Sequence, residues 1–354
     1  MPFEKGISDQ KLTVNLSQTA VAIMHDDMIC FGETKEERYL NHIFDSYHSH
    51  ADASIEIKTQ IYSHKLDETF DSLKMPKTEK DKVRDALVKK YRKDLVAKKD
   101  SYEKGTSLRI YVWKDNVNYL TEEGFPDDDG SYCKEERHYK NVRSYFKTVI
   151  EEYSTLPYCE RERIFFSKTY DVIIDSINHS NIVKIELQNN ESYFVKGVAL
   201  ETDSQCLYHY LAGYATPEKD RDDNDSYRPM SFRLSNIKEA KHFKSRSAFL
   251  RKELHAKLRQ DIKRYGIQFL SADLVDATIR LTDEGINKYN HILHLRPHAD
   301  FIDEKDPHIY HFHAAENQLE FYFFKFGKDA RILEPKSLAE KFEKMYSDGA
   351  KAYK

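Results

Sequence analysis

Four short segments rich in β-branched and aromatic residues follow one another between residues 164 and 240, and they constrain the fold more than any other feature. Polar turn sequences separate them, such as Gln188-Asn189-Asn190 and the acidic loop at 218–225. Several short strands at such close spacing favour a small β-barrel. The segments are Ile182–Leu187, Tyr193–Leu200, Leu207–Ala215 and Met230–Ile237.

Length, charge and cysteine usage limit the class of protein. The chain has 354 residues, more than one ordinary core accommodates, so we expect two to four domains. Its net charge of -4 gives no overall basic balance of the kind that announces nucleic-acid binding. No signal-peptide pattern and no membrane-length apolar run is present, which predicts a cytoplasmic protein without membrane contact. The cysteines are scattered without metal-ligand spacing, and we expect free thiols at Cys30, Cys133, Cys159 and Cys206.

The N-terminal fifty residues carry the signals of one strand and two helices. Residues 11–16 alternate polar and apolar side chains, which predicts a strand. Ser17 is suited to begin a helix and Gly32 to end it, and Thr34 with Glu37 forms the capping box of a second helix. The predicted core face of that second helix is Leu40, Ile43, Phe44 and Tyr47.

A strand and two helices of this size cannot bury their apolar faces alone, so we expect a homodimer in which the strands of two copies pair. The pattern resembles the ribbon-helix-helix fold over residues 9–53, and that resemblance implies that exposed strand residues enter the DNA major groove. Against this, residues 1–55 hold four Lys/Arg and nine Asp/Glu, whereas DNA phosphates require cations. Two alternatives stay open: dimerisation without tight DNA binding, or operator binding through Lys11, Thr13 and Asn15.

Two basic stretches interrupt this acidic chain. Residues 74–104 hold twelve Lys/Arg against six Asp/Glu, and residues 228–264 hold twelve against three. The first is typical of a solvated helix with intrahelical ion pairs. The second directly follows the predicted barrel and indicates a partner of opposite charge, although a solvated helix face is the alternative. The predicted phosphate contacts are Lys238, Lys241, Lys244, Arg246 and Arg251.

Two motifs in the barrel region resemble the WYL domain. His209-Tyr210-Leu211 stands where that family has Trp-Tyr-Leu. In the family an Arg-x-Phe-Arg-Leu-Asp-Arg-Ile run follows; Phe232, Arg233, Leu234 and Ile237 match it, whereas Met230, Ser235 and Asn236 depart from it. The run 326–338 is similar to the end of the α+β extension that follows many WYL domains, with 321–326 as its last strand and 336–346 as its closing helix.

The resemblance implies an α+β, multidomain protein whose WYL domain is an Sm-like or SH3-like β-barrel. The remaining parts are the ribbon-helix-helix domain, a helical connector and a C-terminal α+β dimerisation or extension domain. The predicted boundaries are 1–55 for the ribbon-helix-helix domain, 56–163 for the mostly helical connector, 164–245 for the WYL domain and 246–354 for the C-terminal extension.

This combination resembles the WYL accessory proteins encoded beside the RNA-guided RNA nuclease of type VI-D CRISPR systems. The resemblance implies a homodimer that binds single-stranded RNA and raises the activity of that nuclease, with no cofactor, no metal and no catalysis. Such a binder needs cations together with flat side chains for stacking. The candidate RNA-binding residues are Arg233, Arg228, Tyr208, His209, Tyr210, Lys184 and Lys196.

Two other functions compete with this interpretation. A transcription regulator would bind an operator through the ribbon and sense a nucleic-acid or nucleotide ligand through the barrel. An enzyme would need a reactive constellation, and the best one is a group of histidines without a hydrolytic carboxylate pattern, so core or surface histidines are the favoured interpretation. The histidines in question are His294, His298, His308, His311 and His313.

Overall fold

The computed structural model describes residues 10–71, 76–100, 105–122, 142–203, 205, 207–221, 223–243 and 252–353. Within them the chain is a mixed α and β protein with three antiparallel sheets, which confirms the predicted mixture of helices and strands. It divides into an N-terminal unit, residues 1–167, and a C-terminal unit, residues 168–354. The predicted boundaries at 55, 163 and 245 stay predictions. Among the described helices, none combines the length and the apolar character needed to cross a membrane.

The N-terminal unit is mostly helical, with one two-stranded sheet. Its elements are β1 (Gln10–Leu16), α1 (Gln18–Phe31), α2 (Glu36–Asp71), α3 (Lys77–Asp100), β2 (Thr106–Val112), α4 (Lys114–Glu122), α5 (Val142–Ser154) and α6 (Tyr158–Phe165).

The C-terminal unit contains two sheets. Its elements are α7 (Ser167–Asn178), β3 (Ile182–Leu187), β4 (Ser192–Thr202), β5 (His209–Pro217), β6 (Arg228–Arg233), β7 (Ile237–Phe243), α8 (Lys252–Tyr265), β8 (Leu274–Leu281), α9 (Asp283–His291), β9 (Phe301–Ile302), β10 (Ile309–Ala315), α10 (Glu316–Phe323), β11 (Ala330–Glu334) and α11 (Lys336–Ala352).

Strand β1 pairs with β2 of the same chain. The two run antiparallel from the pair Gln10 and Val112 to the pair Leu16 and Thr106. The sequence predicts that this strand pairs with a second copy, whereas its partner in the structure is β2 of the same chain; the homodimer itself stays a prediction. Alternate residues point to opposite faces of a strand, and one face of this ribbon is apolar and buried. The fully buried residues of that face are Leu12, Val14, Leu16, Ile110 and Val112.

The ribbon is covered by the helices of two strand-helix-helix segments, β1-α1-α2 and β2-α4-α5. Each segment accepts one equivalent backbone hydrogen bond from the other. The Ser17 N–H, just after β1, donates to Glu151 Oε1 on α5 at 2.6 Å. The Trp113 N–H, just after β2, donates to Asn41 Oδ1 on α2 at 2.8 Å. The last helix of each segment therefore satisfies the backbone at the end of the other segment's strand. One chain thus supplies both halves of an arrangement that the sequence predicts for two.

A buried ion pair joins α1 to α6 inside the N-terminal unit. Arg161 donates to both carboxylate oxygens of the fully buried Asp27, at 2.7 and 2.9 Å. The Tyr39 hydroxyl on α2 donates to the same carboxylate at 3.0 Å. Burial is the largest cause that raises the pKa of Tyr39 well above its usual value, and the Asp27 charge adds to it. The carboxylate is therefore fully hydrogen-bonded, as a buried charge requires.

The five-stranded sheet of the C-terminal unit has the order β6-β5-β4-β3-β7. The first four strands follow each other as hairpins, and the fifth returns beside the first. The sequence predicts an Sm-like or SH3-like β-barrel. In the described residues no pairing joins the two edge strands β6 and β7, so these strands do not form a closed barrel. A 3-10 turn, Leu234–Asn236, connects the edge strand β6 directly to the other edge strand β7.

Helices cover both faces of this sheet. On one face α7 packs closely: Ser176 Oγ lies 2.9 Å from His242 Nδ1 of β7. On the other face α8 packs Leu258 against Val198 and Tyr214. Strands covered on both sides read as nearly continuous apolar runs, and this explains the weak alternation in β4 and β5.

The C-terminal sheet has the order β11-β8-β10-β9, with α9, α10 and α11 packed on one face. The closing helix predicted at 336–346 is confirmed as part of α11. The last strand predicted at 321–326 is wrong: α10 and a following 3-10 turn occupy these residues. Short apolar runs fit helix and strand equally well, and here Tyr322, Phe323 and Phe326 all point into the core from helical backbone.

Arg161→Ala should destabilise the N-terminal unit by about 3 to 5 kcal/mol, because it leaves the Asp27 carboxylate buried without its cation. Urea unfolding followed by circular dichroism measures this. Arg163→Ala is the matched control, since Arg163 forms an exposed ion pair with Glu160 on the same helix and should change stability little. Equal effects of both substitutions would contradict a structural role for the buried pair.

Gly213 and Gly349 should respond to alanine with opposite signs. A Cβ on Gly213 would lie 2.3 Å from the backbone oxygen of Lys196 on the neighbouring strand, so Gly213→Ala should cost about 1 to 3 kcal/mol. Gly349 lies in α11 with nothing within 4 Å of the added carbon. Gly349→Ala should therefore raise the free energy of unfolding by about 0.5 to 1 kcal/mol. Thermal unfolding of both variants tests the pair, and a stabilised Gly213→Ala variant would contradict the close strand approach.

Candidate nucleic-acid interface

Arg233, Tyr208 and Tyr210 come together at one end of the five-stranded sheet. Arg233 on β6 is the cross-strand partner of Tyr210 on β5, so both side chains share one face. The Arg233 guanidinium lies 3.6 Å from the ring centroid of Tyr208, within cation–π distance. All three side chains are half-buried. A guanidinium stacked on a ring keeps its N–H donors directed sideways in its own plane, which suits a phosphate.

A second arginine and a carboxylate border this group. Glu201 on β4 is the cross-strand partner of Tyr210 on its other side. Arg259 on α8 donates to Glu201 Oε1 at 2.5 Å and to the Val198 carbonyl at 2.8 Å. We did not single out Arg259 from the sequence, although the steep basic charge of 228–264 contains it. We call Arg233, Tyr208, Tyr210, Glu201 and Arg259 the arginine cluster.

Two residues predicted for the same interface lie elsewhere. His209 is 7% exposed on the opposite sheet face, and its ring packs against Tyr170 of α7 at 5.7 Å. Arg228 is exposed and donates to the carbonyl oxygens of Asp225 and Tyr227. It lies five residues from Arg233 on the same strand, and an odd separation places it on the other face. The structure therefore does not bring His209 or Arg228 to the arginine cluster.

The predicted lysines Lys184 and Lys196 form a separate group farther along the sheet. Lys184 on β3 is the cross-strand partner of Phe194 on β4, and Lys196 follows Phe194 by two residues. Lys241 on β7 pairs with Lys184 from the other side. Lys184 also forms an ion pair with Glu218 at 2.5 Å. We call Lys184, Lys196 and Lys241 the lysine face.

Of the remaining predicted phosphate contacts, two form ion pairs with carboxylates and three lie outside the described residues. Lys238 bonds Glu186 at 2.5 Å and Lys241 bonds Glu239 at 2.7 Å. The hydrogen bond and charge of Lys238 lower the pKa of Glu186. Lys244, Arg246 and Arg251 lie outside the described residues.

The predicted DNA-facing residues share the polar face of the ribbon. Lys11, Thr13 and Asn15 alternate with the buried residues of β1, and their cross-strand partners on β2 lie on the same face. The Lys11 ammonium lies 5.2 Å from the ring centroid of Tyr111. The β2 partners, which sequence reasoning did not assign to this face, are Tyr111, Arg109 and Ser107.

The candidate histidines make separate contacts. His311 and His313 share a face of β10, but His313 Nδ1 lies 2.7 Å from Asp276 and His311 stacks on Phe301 at 4.2 Å. His308 Nδ1 lies 3.0 Å from the Leu281 carbonyl. In the part of the chain that the structure describes, no three His, Cys, Asp or Glu side chains are grouped so that they could hold a metal ion.

Lys196→Met should raise the free energy of unfolding, and the difference from the wild type should become smaller at high pH. Lys196 is 7% exposed, and burial lowers its pKa from the ordinary 10.5. Below the folded-state pKa both states are protonated, and the buried charge penalises only the folded state. Between that pKa and 10.5 the unfolded chain binds more protons, so wild-type stability rises with pH. Urea titrations at several pH values measure the difference. Lys241→Met, at an exposed position of the same face, should show no comparable stabilisation.

Comparisons with known proteins show a shared fold. No protein-family model and no curated protein matches the chain. The chain is similar to a solved crystal structure of a CRISPR Cas-related protein, with a TM-score of 0.73 and 21% identity, over 100% of this chain and 97% of that one. A proteasome accessory factor B/C of Arthrobacter aurescens matches with a TM-score of 0.29 and 12% identity, over 68% of this chain and 38% of that one. The similarity to the CRISPR Cas-related protein, at 21% identity, shows a shared fold.

Proposed function

We propose that this chain is a non-enzymatic, single-stranded RNA-binding accessory protein that stimulates an RNA-guided CRISPR nuclease. The observation that carries the proposal is the Arg233 guanidinium stacked at 3.6 Å on Tyr208, with Tyr210 on the adjacent strand. The fold shared over its full length with a CRISPR Cas-related protein supports the setting. The preference for RNA and the stimulation of a nuclease come from the sequence resemblance.

The arginine cluster suits a single strand better than a duplex. Unstacked bases expose faces that pair with aromatic or guanidinium planes, and such stacking contributes about 1 to 3 kcal/mol per base. In a duplex these faces are hidden inside the base stack. The tyrosine rings and the Arg233 plane offer stacking surfaces, while the edge of the same guanidinium offers donors to a phosphate. One residue thus serves base and backbone at once.

The charge at this site is balanced rather than strongly positive. Arg259 is held by Glu201, so a phosphate that binds Arg259 must compete with that carboxylate. Modest affinity with strong dependence on stacking is the expected result.

Arg233→Ala should weaken binding of a labelled single-stranded RNA about tenfold, in line with the loss of one stacked contact. Fluorescence anisotropy across a salt series measures this, with single-stranded and duplex DNA as parallel probes. Arg228→Ala is the matched control, because it removes an arginine of the same strand from the opposite face. Arg233→Lys keeps the charge without the planar fork and should recover only part of the affinity.

The same variants test the accessory role. Target RNA cleavage by the partner nuclease should be accelerated by the wild-type protein and by Arg228→Ala, and much less by Arg233→Ala. Thermal unfolding of each variant controls for misfolding. Equal RNA affinity of Arg233→Ala and Arg228→Ala would contradict the assignment of the site.

The second candidate function is a DNA-binding regulator, and the ribbon favours it. The major groove admits a two-stranded antiparallel ribbon, and here one chain presents both strands with Lys11 and Arg109 on the polar face. The first turn of α2 contains Glu36 and Glu37, which would repel a phosphate at that helix start. Preference for duplex DNA, lost in Lys11→Ala with Asn15→Ala and retained in Arg233→Ala, would establish this function instead.

A further inference from the structure

Lys196 is a lysine with a largely buried side chain, and no carboxylate among the described residues forms an ion pair with its ammonium. Its side chain lies on the central strand β4 and is 7% exposed. Among the described residues, no carboxylate or carbonyl accepts a hydrogen bond from its ammonium. Burial is the cause that lowers its pKa. Buried ammonium groups are costly unless they are paired, so a lysine kept at such a position needs a reason.

The neighbours of Lys196 on the same face include apolar and aromatic side chains and two further lysines. Its cross-strand partners are Ile182 on β3 and Tyr214 on β5. Lys184 is therefore its diagonal neighbour, at a typical Cβ separation of about 7 to 8 Å. Lys241 lies directly opposite Lys184 on the next strand. Like charges directly opposite each other in a sheet are destabilising.

The aromatic part of this face is compact. Phe194 is buried between Lys184, whose ammonium lies 5.7 Å from its ring centroid, and Phe243, whose ring centroid lies 4.7 Å away. Arg221 approaches the same ring at 6.0 Å. Two carboxylates, Glu218 and Glu239, pair with Lys184 and Lys241. Two cations, Lys184 and Arg221, therefore approach one buried ring.

We propose that Lys196, with Lys184 and Lys241 beside it, is a binding seat for one phosphodiester of the RNA. A single phosphate charge would balance the ammonium of Lys196, for which the described residues provide no carboxylate, and it would separate the like-charged lysines. The inference rests on the proposed RNA-binding function. It adds a backbone contact apart from the arginine cluster: Lys196 faces Tyr214, which lies four residues along β5 from Tyr210, about 13 Å at the usual strand rise.

The helix α8 covers the sheet between these two places. Leu258 of α8 packs against Tyr214, and Ile262 packs near Tyr210. A strand of RNA that contacts both groups therefore passes along the side of this helix rather than across the bare sheet. The arginine cluster would hold a base, and the lysine face would hold the backbone of a nucleotide farther along.

The decisive experiment compares Lys196→Met with the wild type in binding a fluorescein-labelled oligouridylate over a salt series. Methionine keeps the apolar stem and removes the charge. Loss of one phosphate contact should reduce the slope of log affinity against log salt concentration by about 0.7 for a single strand. The affinity at low salt should fall about tenfold, as for one charged hydrogen bond. The melting temperature should rise at the same time, which a merely structural role of Lys196 would not give.

Lys336→Met is the matched control, because Lys336 carries the same charge on α11 with a side chain that is 90% exposed. It should leave the salt slope unchanged. If the wild type binds RNA and Lys196→Met retains its slope, or if both variants lose the same amount, the phosphate seat is wrong while RNA binding stands. If the wild type does not bind the oligouridylate, the proposed function fails and this inference fails with it.

Discussion

The antiparallel pairing of β1 with β2 is the constraint on which the N-terminal unit depends. A two-stranded ribbon with one apolar face is not stable by itself and must be covered by helices. Because its strands are about ninety residues apart in the chain, the ribbon brings both strand-helix-helix segments together when it forms. Glu151 and Asn41 then each accept a hydrogen bond from the backbone N–H at the end of the other segment's strand. The buried pair of Asp27 and Arg161 joins α6 to this arrangement.

Local periodicity was enough to predict the elements of this unit, but not their pairing. The predicted helix boundaries at Ser17 and Gly32 are confirmed, as is the core face containing Leu40, Ile43 and Phe44. A half-buried strand can pair with a strand of a second copy or with a distant strand of its own chain. Both pairings leave the same apolar face buried. The alternation in residues 11–16 therefore could not decide between them. Nothing local in the sequence connects residues 11–16 to β2, about ninety residues later in the chain.

The candidate site shows the same limit at the level of side chains. A strand places successive residues on opposite faces, so His209 and Tyr210 cannot both face one ligand, and the sequence alone does not tell which of them does. The answer depends on α7 and α8, which cover opposite faces of the sheet and lie far apart in the sequence. Arg233 was predictable from the motif, and its contact with Tyr208 was not, because Tyr208 precedes β5 in a loop.

The charge count of the basic segment overstates the cations that are ready to bind phosphate. Among the Lys/Arg of residues 228–264 that the structure describes, several form ion pairs with carboxylates on the same unit, including Lys238, Lys241, Arg259 and Arg264. Each exposed ion pair is weak, so a phosphate of the proposed RNA could replace the carboxylate as partner of the cation. Such a replacement would contribute little to the free energy of binding. Affinity then depends on groups that no carboxylate neutralises or that also stack. Under the proposed function, a stacked arginine and a largely buried lysine would therefore determine binding more than the sum of the surface charge. A chain with net charge -4 is compatible with a polyanionic partner on the same ground.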